Sequence, residues 1–381
     1  MQATLVLLAA AAAESYVDPE TGEEQYVFVD AIVYPICFNA RHFIELFMKD
    51  SIRNVSTLGP NPTQTDAIAT HDLNMLWGKF AAAIAHDNRL LELGMSLEEI
   101  FKEIADVDNT GMTFRYSRDL GENVHLPNIE HINLGALGDR LREMFKQTEE
   151  FSLCLSILQQ EYSQGTYTEK LHRANIEAIA KRLPPHEKWA EQLKSVKKEI
   201  CEALGLSSND FSKALVLIKQ HREFSALIGL ELPLQGLPVD VFARLASIHA
   251  GEAAHDLITR EEWLRLDAVI EVSRLDSYSE EYDRHLTYIS SADYKGPFDP
   301  EHIARNAYAR NQRLRTGLVK LGQLTLLAAL AKAIPHLAEP LKIPPRPTAD
   351  EISALVNETF QHMKYSHSNS EAVEDSEPDK G

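Results

Sequence analysis

The sequence predicts a mostly α-helical protein: a helical bundle carrying one small β-hairpin, followed by a second helical domain. Three observations lead there. Apolar residues recur at three- and four-residue intervals through most of the chain, caps and Pro/Gly breaks punctuate those runs, and one short stretch shifts to β-prone composition. At 381 residues the chain is long enough for two or three separate cores.

Residues 1–15, MQATLVLLAAAAAES, resemble the apolar core of a secretory signal but lack a basic n-region, so a short buried helix is expected. An acidic, turn-rich connector follows. The organising element is the stretch from Asp30 to Val55, where Cys37, Phe38, Phe43, Ile44, Phe47, Met48, Ile52 and Val55 make one broad apolar face. The polar loop Ser56–Ala69, with Gly59, Pro60 and Pro62, ends it. Thr70 and Asp72 are capping residues for a helix through Leu73, Leu76, Trp77 and Phe80. Ser96-Leu97-Glu98-Glu99 reads as a capping box opening another.

From Gly111 the period changes, and MTFRYSRDLGENVHLP (112–127) reads as a small hairpin around Gly121. Asn133 then caps a helix through Leu137, Leu141, Met144 and Phe145. Further helices are expected over Phe151–Gln160, Tyr167–Arg182, His186–Leu204, Asp210–Ile228, Val239–Ala254, Arg260–Arg274, Glu280–Ile289, Pro300–Ile334 and Ala349–Tyr365. The domain break is placed near Phe151, dividing residues 1–150 from 151–365. Residues 366–381 are acidic with no apolar content worth burying and read as a disordered tail.

Lys+Arg 38 against Asp+Glu 57 gives a net charge of −19, which argues against indiscriminate binding to nucleic acid or anionic membrane. Cys37, Cys154 and Cys201 are too widely spaced for a disulfide framework or a zinc site, so a reducing, cytoplasmic interior is expected. The best apolar run, Leu318–Leu337, is broken by Lys320, Lys332 and Pro335, so no membrane span is expected.

VYPICFNARHFIELFMKDSI (33–52) resembles a helix of bacterial HEPN-like proteins, in which an Arg-His pair sits in a run of the form YPxxFxxRHxxELxxK. THDLNMLW (70–77) is similar to that family's GHDLxxLW step, and residues 114–144 to the hairpin and helix that often follow. The resemblance covers roughly residues 28–150 and implies an up-and-down helical bundle. It also implies one of several roles: metal-independent ribonuclease, often in phage defence or stress response, partner of a nucleotidyltransferase, or inactive scaffold. Nuclease members carry Arg, four to six residues, then His on one helix, usually paired across a dimer.

Such chemistry needs a His to move a proton at the ribose 2′-hydroxyl or leaving oxygen, and an Arg to hold the phosphate. Arg41 and His42 supply the residue types, but adjacent residues lie about 100° apart on a helix and do not make the spaced motif. The plain alternative is that Arg41, Glu45 and Lys49 form an i, i+4 ladder with His42 as a polar neighbour. His71 completes a candidate Arg41/His42/His71 catalytic cluster if the loop returns the chain far enough.

The spaced motif occurs at Arg244…His249 and across a turn at Arg118…His125. Chance alone predicts about 2.4 such matches, so two carry little weight. Glu169…His172, Glu252…His255 and Glu122…His125 have the Glu-x-x-His spacing of di-iron bundles, against about 1.4 by chance. No further carboxylate ligands can be assigned, so neither a metal nor any other cofactor is expected. ARNAYARNQRLRTGLVKLG gathers Arg305, Arg310, Arg313, Arg315 and Lys320, with Tyr308 available to stack on a base. These arginines are the phosphate or RNA-binding candidates, although most charge runs are solvated faces paired with acidic neighbours. The leading functional expectation is RNA cleavage or RNA binding, with a homodimer or other protein partner. The alternative is a non-catalytic binding or assembly module.

Overall fold

Phe43 and Phe47 lie one helical turn apart on the organising helix, and the core of the N-terminal unit forms around them. Phe47 meets Phe101 edge-on at 5.9 Å and Phe151 at 5.5 Å, and Phe43 meets Phe145 at 5.1 Å. Phe80 packs between Phe151 at 5.3 Å and Trp77 at 5.5 Å. Offset and edge-on ring pairs of this kind add to the burial of apolar area and fix how helices cross.

The structure, a computed structural model, describes residues 1–338 except 13–14, 18–20, 27–28, 60–67, 114–131, 275 and 310–311. It is mostly helical and divides into two compact units, one built on Met1–Gln160 and one on Glu161–Arg346. The first unit contains α1 (Gln2–Ala12), α2 (Val29–Val55), α3 (Leu73–Ile84), α4 (Asn88–Met95), α5 (Glu98–Asp108) and α6 (Leu134–Ser163). Between α1 and α2, β1 (Ser15–Val17) pairs antiparallel with β2 (Glu24–Tyr26), placing Tyr16 opposite Gln25. Helix α1 lies on α2 and buries Thr4, Leu8 and Ala11. Asp72 caps α3 by accepting from the Met75 amide at 2.8 Å, and Asn133 accepts from the Ala136 amide at 3.0 Å at the start of α6.

The second unit contains α7 (Arg173–Arg182), α8 (Trp189–Leu204), α9 (Ser208–Gln220), α10 (Arg222–Leu227), α11 (Val241–His249), α12 (Arg260–Val272), α13 (Glu281–Ser290), α14 (Pro300–Tyr308), α15 (Arg313–Lys320) and α16 (Leu324–Ala333). Three short 3₁₀ turns punctuate it, at His186–Lys188, His255–Leu257 and Pro335–Leu337. Helices α7 to α10 share one core, including Ile176, Ile200, Phe211 and Phe224. Helices α11 to α16 share another around α12, whose Trp263, Leu266, Val269, Ile270 and Val272 are buried on every side. Its charged residues Arg260, Glu261, Arg265, Asp267 and Glu271 keep to the less buried positions, while the apolar ones meet the neighbouring helices.

Several expectations need correction. The hairpin expected at 112–127 is not seen: residues 114–131 lie outside the described part, and Met112 and Thr113 form no strand. The described strands occur instead in the stretch read as an acidic connector. The Ser96 capping box does not form, because Leu97 occupies the cap position of α5 and Ser96 closes α4 by bonding to Leu93 and Glu92 carbonyls. No helix boundary falls at Phe151, which is fully buried inside α6, and the units divide after Gln160. The expected helix Pro300–Ile334 is three helices. Gln312 in the left-handed region (φ 52°) opens α15, and Gly322 (φ 65°) separates α15 from α16. A Cβ on Gly322 would lie 2.8 Å from the Arg222 carbonyl oxygen, so the turn also needs glycine for close approach to α10. The helix expected at 349–365 and the acidic tail lie outside the described residues. Among the described residues no helix is long and apolar enough to cross a membrane.

Gly317 sets the closest crossing in the second unit. A Cβ there would fall on the Val269 carbonyl of α12, with Val269 Cγ1 at 2.9 Å. Helix propensity alone favours Gly317→Ala by about 1 kcal/mol, whereas overpacking against a backbone costs about 2–3 kcal/mol. Urea denaturation is expected to show the variant destabilised, and a stabilised variant would rule out this close crossing.

Candidate functional site

Arg41 lies in the middle of α2 and is 2 % exposed. All three of its guanidinium nitrogens donate to protein acceptors. Nε donates to the Asp108 carbonyl at 3.3 Å, Nη1 to the Glu45 carboxylate, and Nη2 to the His71 carbonyl and to the Asn109 carbonyl at 3.0 Å. The carbonyls at 108 and 109 close α5, where a helix leaves its last acceptors unsatisfied and its dipole negative. One cation thus binds α2 to the end of α5 and the approach to α3.

The surroundings are shaped for that cation. Asp108 Oδ1 accepts from the amides of Gly111 at 2.8 Å, Met112 at 3.0 Å and Thr113 at 3.2 Å, which turns the chain after α5. Gly111 has φ 82°, and a Cβ there would sit 3.2 Å from the Arg41 guanidinium carbon. Asn109 couples α5 to α3, with Nδ2 donating to Asp72 at 2.8 Å and Oδ1 accepting from the Asn74 amide at 3.1 Å.

Glu45 is the anionic centre. Its Oε1 takes Lys49 Nζ at 2.7 Å and His71 Nδ1 at 2.8 Å, while Oε2 takes Arg41. Burial pushes the Glu45 carboxyl up, but the Lys49, Arg41 and His71 hydrogen bonds outweigh it and hold the group at about 2. A carboxylate only accepts, so His71 Nδ1 is the donor in this bond. The His71 side chain is 70 % exposed.

The expected cluster is therefore redistributed. Arg41 meets His71 through the His71 backbone, and the His71 ring meets Glu45, not Arg41. His42 stacks on Phe38, with ring centroids 6.0 Å apart and planes at 5°, and its buried Nδ1 has no hydrogen-bond partner. The ladder reading of Arg41, Glu45 and Lys49 describes the contacts, with the difference that it is buried rather than a solvated surface ladder.

The other candidates do not assemble. Arg244 makes a two-pronged pair with Glu262 at 2.9 and 2.7 Å, and His249 stacks on Tyr308 at 3.6 Å, so the spaced motif shares no partner. Tyr308 presents a face already covered by a histidine. Arg305 is exposed on α14 and Arg313 on α15, on separate helices, and Arg310 lies outside the described residues, as do Arg118, Glu122 and His125. Glu169 faces Lys213 at 3.8 Å while His172 caps α7, and Glu252 and His255 fall between α11 and α12, off any α-helix. Among the described residues no group of three or more His, Cys, Asp or Glu converges to hold a metal ion. All three cysteines are free thiols, and burial pushes Cys37 up to about 11, which keeps it protonated and unreactive.

A second buried arginine has no counterpart in the sequence reading. Arg173, 1 % exposed, bonds to Glu223 and Glu280, and its guanidinium carbon lies 4.9 Å from the centres of both the Phe224 and Tyr278 rings. Ser279 Oγ links the two carboxylates, at 3.2 Å to Glu223 and 3.1 Å to Glu280, and Thr166 donates to Glu280. His221 Nε2 lies 3.0 Å from Glu280. Sequence separations of 50 and 107 residues leave no local pattern that would reveal this cluster.

Removing the Arg41 side chain takes one of three partners from the buried Glu45 carboxylate and the side-chain donor from the carbonyls of His71, Asp108 and Asn109, a loss of about 3–5 kcal/mol. Chemical denaturation of Arg41→Ala is expected to show that loss. Arg41→Lys should recover little of it, since an ammonium has no planar fork for four acceptors. The lowered Glu45 carboxyl gives a sign for pH. Its stabilisation is present above its ordinary value near 4.5 and is lost as pH falls toward about 2. Glu45→Gln is expected to flatten that part of an acid-unfolding curve. An equally steep curve would remove Glu45 from the acid response.

No family model, no curated protein and no solved structure matches the chain.

Proposed function

We propose that the N-terminal unit is a non-catalytic helical binding and assembly module, and that the Arg41–Glu45 centre holds its helices in place. One observation carries this reading: all three guanidinium nitrogens of Arg41 donate to protein acceptors and the residue is 2 % exposed, so the group is turned into the protein and away from an incoming phosphate. The charge distribution supports it. Residues 1–160 hold 11 Lys/Arg against 24 Asp/Glu, a balance that repels nucleic acid and suits a basic protein partner.

A second reading, HEPN-like RNA cleavage in defence or stress, is favoured by the Glu45–His71 pair. A buried carboxylate that orients an exposed imidazole is an arrangement suited to general acid–base work. In this reading His71 moves the proton and Arg41 is a positioning residue. The sequence candidates for phosphate, Arg305, Arg310 and Arg313, belong to residues 161–346, where 25 basic residues balance 25 acidic ones.

Incubation of the full chain with single-stranded RNA in EDTA, beside His71→Ala, separates the readings. The His71 ring is exposed, and its removal leaves Glu45 still paired with Arg41 and Lys49. The module reading expects no cleavage by either protein. Cleavage by the wild type that falls at least about a hundredfold in His71→Ala would overturn it and establish the acid–base role.

A further inference from the structure

Helix α13 runs out at Ser290 into a loop, and the junction carries two tyrosines at right angles. Tyr288 lies in the last turn of α13 and is 59 % exposed. Its ring centre is 5.4 Å from that of Tyr294, with the planes at 84°. Both stand on ordered backbone. The Tyr288 carbonyl accepts from the Ser291 amide at 3.1 Å and the Ser291 hydroxyl at 2.8 Å, which closes the helix. Tyr294 lies against Gly296, where a Cβ would fall on the hydroxyl end of the ring, and its own hydroxyl donates to the Pro297 carbonyl at 3.5 Å. Two aromatic rings at a right angle make an open corner, and the face of each ring is electrostatically negative.

Elsewhere the second unit covers aromatic faces with its own cations. Arg173 lies over Phe224 and Tyr278, each at 4.9 Å, Arg222 over Tyr282 at 5.4 Å and Arg260 over Phe298 at 5.2 Å. Among the described residues no lysine or arginine lies over Tyr288 or Tyr294. Arg284, one turn before Tyr288, is turned to Glu281 at 2.9 Å and to Gln164, and His285 is held by Asp267 at 3.1 Å. The last turn of α13 has no basic residue to meet the negative end of its dipole. Asp293 and Lys295, both exposed in the loop, cancel in charge, so the rings and the helix end set the sign of the corner.

We propose that the Tyr288–Tyr294 corner binds a quaternary methylammonium group, carried by a small choline-like molecule or by a trimethylated lysine. The site lies in the second unit and does not depend on the role proposed for the first. The ligand class follows from the shape of the corner and from what its rings offer. A bare ammonium is strongly hydrated and needs acceptors for three N–H donors, and a planar guanidinium lies flat on one ring and seeks a carboxylate fork. A tetrahedral cation dressed in methyl groups has no donor to satisfy and meets both walls at once.

Nuclear magnetic resonance on the full chain tests the site with choline and its neutral isostere, in which carbon replaces nitrogen. Choline is expected to receive saturation from the protein at its N-methyl protons and to shift the Tyr288 and Tyr294 ring signals. The isostere should do neither at the same concentration. Tyr288→Ala should weaken choline binding about fivefold or more, whereas Tyr288→Phe keeps the face and should stay within about twofold of the wild type. A trimethyllysine peptide that binds more tightly than both choline and its own unmodified form assigns the source to a modified protein, and one that binds more weakly than choline assigns it to a small molecule. Equal binding of choline and the isostere, or none by either, would overturn the proposal, as would choline binding that leaves both tyrosine rings unmoved. So would an unchanged affinity in Tyr288→Ala, and the wild-type comparison decides the matter if that variant fails to fold.

Discussion

The N-terminal unit depends on one guanidinium. Arg41 reaches acceptors on its own helix, on the end of α5 and on the residue leading into α3, and it does so while almost wholly excluded from water. A buried cation is tolerated only when its donors are paired and its charge is met. Glu45 meets the charge, the carbonyls of His71, Asp108 and Asn109 take the Nε and Nη2 donors, and Gly111 leaves the space. The aromatic cluster around Phe47 brings α2, α3, α5 and α6 together without direction. Arg41 adds the direction, because its fork is planar and its acceptors are fixed backbone groups.

The second unit repeats the device with a different chemistry around it. Arg173 is buried between two aromatic rings and joins Glu223 and Glu280, which come from the start of α10 and the residue before α13. In both units a carboxylate beside the arginine also meets a histidine, His71 in one and His221 in the other. The consequences differ with exposure. The His71 ring stands in solvent, held by Glu45. The His221 ring is 10 % exposed and its second nitrogen is spent on a helix cap. The same pair of residue types thus stands open to solvent in one place and forms a structural joint in the other.

This division bears on how much function an Arg-His pair can signify. Adjacent Arg and His on a helix point to different surroundings: Arg41 into the polar centre and His42 against Phe38. A phosphate clamp needs free donors, and a proton shuttle needs a ring nitrogen open to its substrate. All three nitrogens of Arg41 lie on protein acceptors out of solvent, whereas the His71 ring stands exposed beside Glu45.

The sequence by itself determined the helical class, the apolar face of α2, the Asp72 and Asn133 caps and the i, i+4 relation of Arg41, Glu45 and Lys49. All of these rest on interactions within a few residues, which periodicity and capping chemistry read directly. Only the tertiary structure decided that this ladder is buried, that Arg41 ends on carbonyls 67 and 68 residues away, and that Arg173 draws in partners up to 107 residues distant. It also decided where long helical patterns break. His221 and Gln312 interrupt runs whose apolar spacing is continuous, because backbone angles at single residues obey packing and local hydrogen bonding that the spacing of side chains does not record. Burial and long-range acceptors are properties of the assembled chain, and they separate a charged surface pattern from the centre that holds the unit together.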